Sequence, residues 1–181
     1  MKQESSLWLC GGVMMLALAA PTLLAFQGTR EVKVKISQLP AAVVEAIKNN
    51  CPNCVIAKAT REVENGVTVY DFEFKGGQGE MDVAEDGSVI DRETIVQTTD
   101  IPSAALDAIR KGAVGATIKQ VAKDEVRAEL KDGKVIKLDS PRYLYEADLV
   151  KGNQVAEIEV SSEGQVTEAP RWRKKGSREI E

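Results

Sequence analysis

The feature that most constrains this chain is a segment that occurs twice. Residues 39–48 read LPAAVVEAIK, and residues 101–110 read IPSAALDAIR, at an offset of 62 positions. Two further matches follow in the same order, between residues 70–74 and 145–149 and between residues 85–89 and 162–166. Self-similarity in a fixed order is the signature of a duplicated unit. The offset grows along the chain, so we expect an insertion in the second copy around residues 126–142.

Each copy has the pattern of a helix followed by short strands. Apolar residues after Pro40 and Pro102 follow the spacing of an amphipathic helix, and proline suits the first helical position. The period then changes to two, as in Thr68, Tyr70, Phe72 and Phe74, which is typical of a half-buried strand. Turn signals separate the strands: Asn65-Gly66, Gly76-Gly77, Asp86-Gly87, Asp132-Gly133, Gly152-Asn153 and Glu163-Gly164. We therefore predict an α+β fold of two tandem repeats, each a helix packed on a three- to four-stranded antiparallel meander.

The expected domain boundaries follow from this pattern. Repeat 1 spans 31–96, and repeat 2 spans 97–169 and carries an inserted hairpin. Residues 170–181 contain a cluster of basic residues and are expected to form a flexible tail.

The first 25 residues predict export. Leu7 to Ala25 is an uncharged apolar run with Pro21 in its last third and small residues at its end. These features favour a cleaved signal peptide over residues 1–25, with an uncleaved membrane anchor as the alternative. We expect a bacterial protein located in the periplasm or secreted. It would touch the membrane only if the segment is uncleaved.

Charge and composition exclude several function classes. The chain has no histidine, which removes serine–histidine and cysteine–histidine catalysis and histidine-containing metal sites. Its formal net charge is −4 although basic residues crowd the tail, so the body of the chain is more acidic still. An acidic body argues against nucleic acid as a partner. No residue pattern indicates a cofactor.

The repeated pattern resembles a known family. The residues Leu39-Pro40-Ala41-Ala42-Val43, then Asn65-Gly66-Val67 leading into Tyr70-Asp71-Phe72-Glu73-Phe74, then Glu85-Asp86-Gly87-Ser88-Val89 are similar to PepSY-like domains of exported bacterial proteins. That set includes proteins similar to beta-lactamase inhibitory protein. The resemblance covers the first copy along its length, and the helix and last two strands of the second copy. It implies an exported binding or inhibitory module without catalytic residues.

Cys51-Pro52-Asn53-Cys54 is the sharpest local motif. It follows the first predicted helix, where the helix dipole opposes a thiolate, so the position does not suit a thioredoxin-type pair. We expect a structural disulfide between Cys51 and Cys54. Unpaired thiols, a redox-active pair and a metal site are the alternatives that the motif leaves open.

Acidic residues recur at matching strand positions in the two copies. Asp71 and Glu73 alternate with apolar residues, as do Glu146 and Asp148. We predict that these four residues line the outward sheet face and form a partner-binding surface. The stretch Asp82 to Gly87 lacks the ligand spacing of a calcium loop and is interpreted as a hairpin turn.

The expected function is non-catalytic binding. We predict a module that binds an unidentified envelope or secreted protein. In the most specific form of this prediction, the bound protein is a hydrolase and binding inhibits it. Two alternatives come from other functional classes. One is a small-molecule-sensing domain with an apolar pocket between helix and sheet. The other is a thiol-redox protein that uses Cys51 and Cys54.

Overall fold

The computed structural model describes residues 31–176 of the chain. These residues form ten strands, two α-helices and two short 3-10 helices. In chain order they are β1 (Val32–Lys33), a 3-10 helix (Ile36–Gln38), α1 (Ala41–Asn50), β2 (Ile56–Glu64), β3 (Val67–Phe74), β4 (Glu80–Ala84), β5 (Val89–Ile95), a second 3-10 helix (Thr98–Asp100), α2 (Ser103–Gly112), β6 (Thr117–Lys131), β7 (Lys134–Lys151), β8 (Gln154–Ser161), β9 (Val166–Glu168) and β10 (Arg173–Lys174).

All the strands belong to one antiparallel sheet. They follow chain order from β1 to β8, and β9 and β10 both pair with β8. The predicted fold of two tandem helix-on-meander repeats is therefore wrong, because β5 pairs directly with β6 through Glu93–Asp124, Thr94–Lys123 and Ile95–Ala122. An unpaired strand edge exposes backbone donors and acceptors, and joining β5 to β6 satisfies them. The protein is mostly β-structure, with two helices on one large sheet.

Helix α1 covers the first part of the sheet. Its buried residues Val43, Ala46 and Ile47 have the spacing of one helical face. They pack against the aromatic side chains of β3 and against β4, in a core completed by Tyr70, Phe72, Phe74, Met81 and Val83. Pro40 is the N-cap residue, so the helix begins one residue later than the sequence predicts.

Helix α2 covers the second part of the sheet in the same manner. Ala105 and Ile109 are fully buried. They pack against alternate residues of β7 and β8, in a core that contains Tyr145, Ala147, Leu149, Ala156, Ile158 and Val160. Pro102 is the N-cap residue of α2. Both helices thus bury their apolar faces on side chains that alternate along the strands.

The outer part of the β6–β7 hairpin reaches back over the first part of the sheet. Residues 126–142, where the sequence indicates the insertion, form this arm. Its Leu130 and Val135 pack against a small cluster formed by Val69, Ala84 and Ile90. The N–H of Gly133 at the arm's tip donates to the carbonyl of Asn65 at 2.8 Å, which holds the tip at the β2–β3 turn.

Part of the expected flexible tail is ordered. Arg173 and Lys174 form β10 opposite Val155 and Gln154, and Trp172 packs against the core of α2. An aromatic side chain that buries apolar area offsets the entropy of ordering this segment. The predicted signal peptide, residues 1–25, lies outside the described residues. Between residues 31 and 176, no helix combines the length and apolarity needed to cross a membrane.

Candidate functional site

Both helices lie on the same face of the sheet. Arg92 of β5 donates to the carbonyl of Asn50 at the end of α1, so the next residue, Glu93, points to the opposite face. Glu93 lies opposite Asp124 of β6. The neighbouring residue, Lys123, lies opposite Tyr145, which packs under α2. Asp124 therefore faces away from α2 just as Glu93 faces away from α1. No helix within residues 31–176 lies on this other face of the sheet, part of which the hairpin arm covers.

This helix-free face is strongly acidic. The four predicted site residues Asp71, Glu73, Glu146 and Asp148 all lie on it, because each alternates with residues that pack under a helix. Further carboxylates that the sequence interpretation missed share it through the strand register. We call the whole set the acidic face: Asp71, Glu73, Glu80, Asp82, Asp91, Glu93, Asp124, Glu146, Asp148, Glu157 and Glu159.

Many of these carboxylates face one another directly across neighbouring strands. The opposed pairs are Asp71–Asp82, Glu73–Glu80, Asp82–Asp91, Glu93–Asp124, Glu146–Glu159 and Asp148–Glu157. Side chains at such positions have Cβ atoms about 4.5–5.5 Å apart, and like charges there destabilise the sheet. The acidic face therefore costs folding free energy.

Burial and mutual repulsion shift the protonation of these groups. Burial, followed by the charges of Glu93 and Glu157, raises the pKa of Glu146 to about 8. Burial, followed by Glu80 and Asp124, raises the pKa of Glu93 to about 7. Burial and Glu159 raise the pKa of Asp124 to about 6. Each shift has the same sign because desolvation and a neighbouring anion both disfavour the charged form.

The face is continuous from one part of the sheet to the other. Burial raises the pKa of Glu80, and the charges of Asp71, Glu73 and Asp148 raise it further. Glu80 and Asp71 lie on the part of the sheet whose other face packs against α1, whereas Asp148 lies on β7, in the part whose other face packs against α2. The structure thus brings the predicted residues from both sequence copies into one electrostatic cluster.

The basic residues that form ion pairs with the acidic face lie at its two edges, and the charge of Arg142 in the hairpin arm also acts on Asp124 and lowers its pKa. At the β2 edge, Lys58 Nζ contacts Glu73 Oε1 at 2.8 Å and Glu31 Oε1 at 3.0 Å. These contacts raise the pKa of Lys58. At the opposite edge, Arg173 contacts Glu157 at 2.7 Å. In the described part of the chain, no lysine or arginine forms an ion pair with Asp82, Asp91, Glu93 or Glu146.

The acidic face is not arranged as a metal centre. Within residues 31–176, no three cysteine or carboxylate side chains converge so as to hold a metal ion. Oδ1 of Asp71 and Oδ1 of Asp124 are buried, and neither has a hydrogen-bond partner among these residues. The other oxygen of Asp71, Oδ2, accepts a hydrogen bond from Thr60 Oγ1 at 3.3 Å.

The predicted disulfide between Cys51 and Cys54 is confirmed. It follows the last residue of α1, with 5.3 Å between the two Cα atoms. Cys51 is buried, and Arg92 Nη2 donates to its Sγ at 3.3 Å. Arg92 and Arg127 also bind the carbonyl and side-chain oxygens of Asn50. The bridge therefore belongs to a network that fixes the end of α1, and the helix dipole there opposes a thiolate.

Two shallow grooves lie away from the acidic face. One, of about 390 Å³, borders the disulfide and is lined partly by polar residues such as Asn53, Gln78 and Thr94. The other, of about 360 Å³, lies between the β4–β5 turn and the hairpin arm and is lined by Arg127 and Lys137 among others.

Comparisons with known proteins identify the fold. The chain matches no protein-family model and no curated protein. Among solved structures, a protein from Bacteroides eggerthii that is assigned to the periplasm gives a TM-score of 0.51 at 15% identity, over 75% of this chain and 88% of that chain. A DUF2874 family protein from Bacteroides uniformis gives a TM-score of 0.50 at 14% identity, also over 75% and 88%.

A BLIP-like protein from Bacteroides fragilis is also similar, with a TM-score of 0.48 at 18% identity over 77% of this chain and 89% of that chain. None of these three descriptions mentions a PepSY domain. The similarity to the Bacteroides eggerthii and Bacteroides uniformis structures, at 15% and 14% identity, establishes a shared fold.

Proposed function

We propose that the protein is a non-catalytic periplasmic module that binds another envelope or secreted protein through its acidic face. The observation that carries the proposal is the set of opposed carboxylates on the face that none of the described helices covers. Such an arrangement opposes folding. Placements that are locally unfavourable are typical of functional surfaces.

Charge complementarity defines the partner. Among residues 31–176, Asp82, Asp91, Glu93 and Glu146 form no ion pair with lysine or arginine, and the basic groups Lys58 and Arg173 lie at the edges of the acidic face. A protein segment rich in lysine or arginine would replace the missing cations. A hydrolase that loses activity on binding is the most specific form of this proposal, and it is the first partner class to assay.

Several observations support the location and the absence of catalysis. The similar protein of Bacteroides eggerthii is assigned to the periplasm, which agrees with the predicted signal peptide. A disulfide suits an oxidising compartment. The chain has no histidine that could serve as a general base. The PepSY-like assignment rests on the sequence pattern alone.

Charge reversal on the acidic face tests the proposal. Envelope extract of the source organism is passed over the immobilised full chain, over an Asp71→Lys/Glu73→Lys variant and over a Glu45→Lys/Asp107→Lys variant. The last variant makes the same change in net charge at exposed helix positions. We expect a protein that binds the wild type and the helix variant and is lost from the acidic-face variant.

Folding of each variant is checked by circular dichroism. If the reversal unfolds the chain, the neutral substitutions Asp71→Asn and Glu73→Gln replace it. A partner that binds all properly folded variants equally well would contradict the proposal. When the captured protein is a hydrolase, its activity is measured with and without added chain.

A further inference from the structure

Three carboxylates form a single row at the centre of the acidic face. Asp71 of β3 lies opposite Asp82 of β4, and Asp82 lies opposite Asp91 of β5. All three are partly buried. Three full negative charges at the spacing of adjacent strands repel strongly in a partly desolvated site. Binding one or more protons relieves this repulsion.

The surroundings of the row supply little positive charge. Lys58 of β2 is the basic group that acts on Asp71, and Thr60 donates a hydrogen bond to it. The carboxylates that face the row from the neighbouring strands are Glu31, Glu62, Glu64, Glu73, Glu93 and Asp124. On the side of the hairpin arm, the residues next to Ile90 are the apolar Leu130 and Val135.

Burial and these neighbours shift the pKa values of the three carboxyl groups. Burial, followed by the charge of Asp91, raises the pKa of Asp82 strongly. Burial, followed by the charge of Asp124, raises the pKa of Asp91. Burial likewise raises the pKa of Asp71, although Lys58 opposes this shift. The buried oxygen Oδ1 of Asp71 has no hydrogen-bond partner among the described residues, so a proton can occupy it without displacing a hydrogen bond of the described chain.

We infer that the row Asp71–Asp82–Asp91 stores protons in the unbound protein and releases them to solvent when a cationic partner binds the acidic face. The inference rests on the proposed function and adds its regulation by pH. A bound lysine or arginine favours the ionised carboxylates and thereby lowers their pKa. By linkage, the partner binds more tightly as the pH rises and more weakly as the row fills with protons.

The first test measures the row in the unbound chain. The side-chain carboxyl carbons of aspartate are labelled with ¹³C in the full chain, and their chemical shifts are followed by NMR from about pH 3 to about pH 10. We expect at least two midpoints from the row to lie well above about 3.9, the ordinary value for aspartate. The substitution Asp91→Asn should lower the midpoint of Asp82, because the charge of Asp91 helps to raise the pKa of Asp82. Ordinary midpoints for all three groups would overturn the inference, whatever binds the face.

The second test measures the linkage with a defined probe. Calorimetry follows the binding of a lysine decapeptide to the full chain at about pH 7, in two buffers with different ionisation enthalpies. We expect roughly one proton to be released per peptide and affinity about tenfold weaker at about pH 5.5 than at about pH 8.5. An Asp82→Asn/Asp91→Asn variant should lose this release, and any peptide binding that remains should change less between about pH 5.5 and about pH 8.5.

The outcomes separate the two proposals. Suppose that the peptide binds the wild type without releasing protons and does not bind the Asp71→Lys/Glu73→Lys variant. This result would overturn the inference that the row releases protons and would still support the proposed function. A peptide that fails to bind at any pH, while the midpoints of the row are raised, would count against the cationic partner and leave the stored protons established.

Discussion

Asp82 of β4 lies directly opposite Asp91 of β5 on the helix-free face of the sheet. Burial comes first among the causes that raise the pKa of each group, and the charge of Asp91 is the next cause for Asp82. The backbone N–H of Asp82 donates to Asp91 and partly opposes this shift. Because the two groups interact, their protons leave in steps that belong to the pair.

The raised pKa values make stability fall as the pH rises. A carboxyl group whose pKa is higher in the folded chain stabilises it fully below the unfolded value of about 3.9, and this contribution is lost as the pH passes the folded pKa. Glu93, Asp124 and Glu146 have shifts of the same sign, with pKa values of about 7, 6 and 8. We therefore expect the free energy of unfolding, measured in urea, to decrease between about pH 5 and about pH 9.

The substitution Asp82→Asn provides the matched control for this pH dependence. It removes the titratable carboxyl of Asp82 from the row and keeps the size of the side chain. We expect it to raise the free energy of unfolding by about 1–2 kcal/mol at about pH 8 and to flatten the pH profile. A variant that is less stable than the wild type at that pH would contradict this interpretation of the row.

Arg92 is expected to stabilise the end of α1. Its guanidinium donates to the carbonyl of Asn50 and to Cys51 Sγ, so Arg92→Met leaves the last helical carbonyl without this donor. We expect a loss of about 1–3 kcal/mol in the free energy of unfolding. Arg110→Met is the control, since Arg110 is exposed and lies 3.9 Å from Asp107. It should change stability by less than about 0.5 kcal/mol. Equal effects of the two substitutions would refute the capping role.

The sequence predicted local structure better than it predicted the sheet. The helices begin one residue after Pro40 and Pro102, and the Asn65-Gly66 and Asp132-Gly133 turns have the positive φ angles that such pairs favour. These features depend on neighbouring residues. The pairing of β5 with β6 depends on residues such as Glu93 and Asp124, which are far apart in the chain, and alternation indicates a face without indicating the adjacent strand.

Most of the acidic face was missed by the sequence interpretation for a related reason. The sequence interpretation used Asp71, Glu73, Glu146 and Asp148 because they recur at equivalent positions. The same signal, acidic residues two apart, also marks Glu80 with Asp82, Asp91 with Glu93, and Glu157 with Glu159. Those pairs lie on strands whose register was unknown, so their position opposite the predicted residues followed only from the structure.

Two glycines are expected to control how turns approach the helices. Gly87 has φ +84°, and a Cβ there would lie 2.9 Å from the carbonyl oxygen of Ala42 in α1. Gly164 has φ +81°, and its Cβ would lie 2.5 Å from the carbonyl oxygen of Ala104 in α2. An alanine at either position would clash with a helix backbone, and its own backbone would be strained by the positive φ angle. We expect each substitution to lower the free energy of unfolding by about 2–4 kcal/mol.

The substitution Gly76→Ala is the control that measures the effect of the positive φ angle without a steric clash. Gly76 has φ +73°, but a Cβ there meets no atom within 4 Å. We expect a loss of only about 1 kcal/mol, because strain acts alone. If thermal or urea denaturation gives the same loss at Gly76, Gly87 and Gly164, the close approach of the turns to the helices does not limit stability.

The disulfide is expected to stabilise the chain without taking part in binding. A bridge over so short a loop contributes about 2 kcal/mol by restricting the unfolded chain. The double substitution Cys51→Ala/Cys54→Ala should therefore lower the free energy of unfolding by about that amount. Cys51 lies under α1 on the face opposite Asp71 and Asp82, so affinity for the lysine decapeptide should stay within about twofold of the wild type. A redox role makes the opposite prediction, namely that Cys51→Ser abolishes function at unchanged stability. Urea denaturation and peptide-binding calorimetry on the same protein preparations distinguish the structural role from the redox role. A structural bridge changes the free energy of unfolding and leaves the affinity for the peptide unchanged.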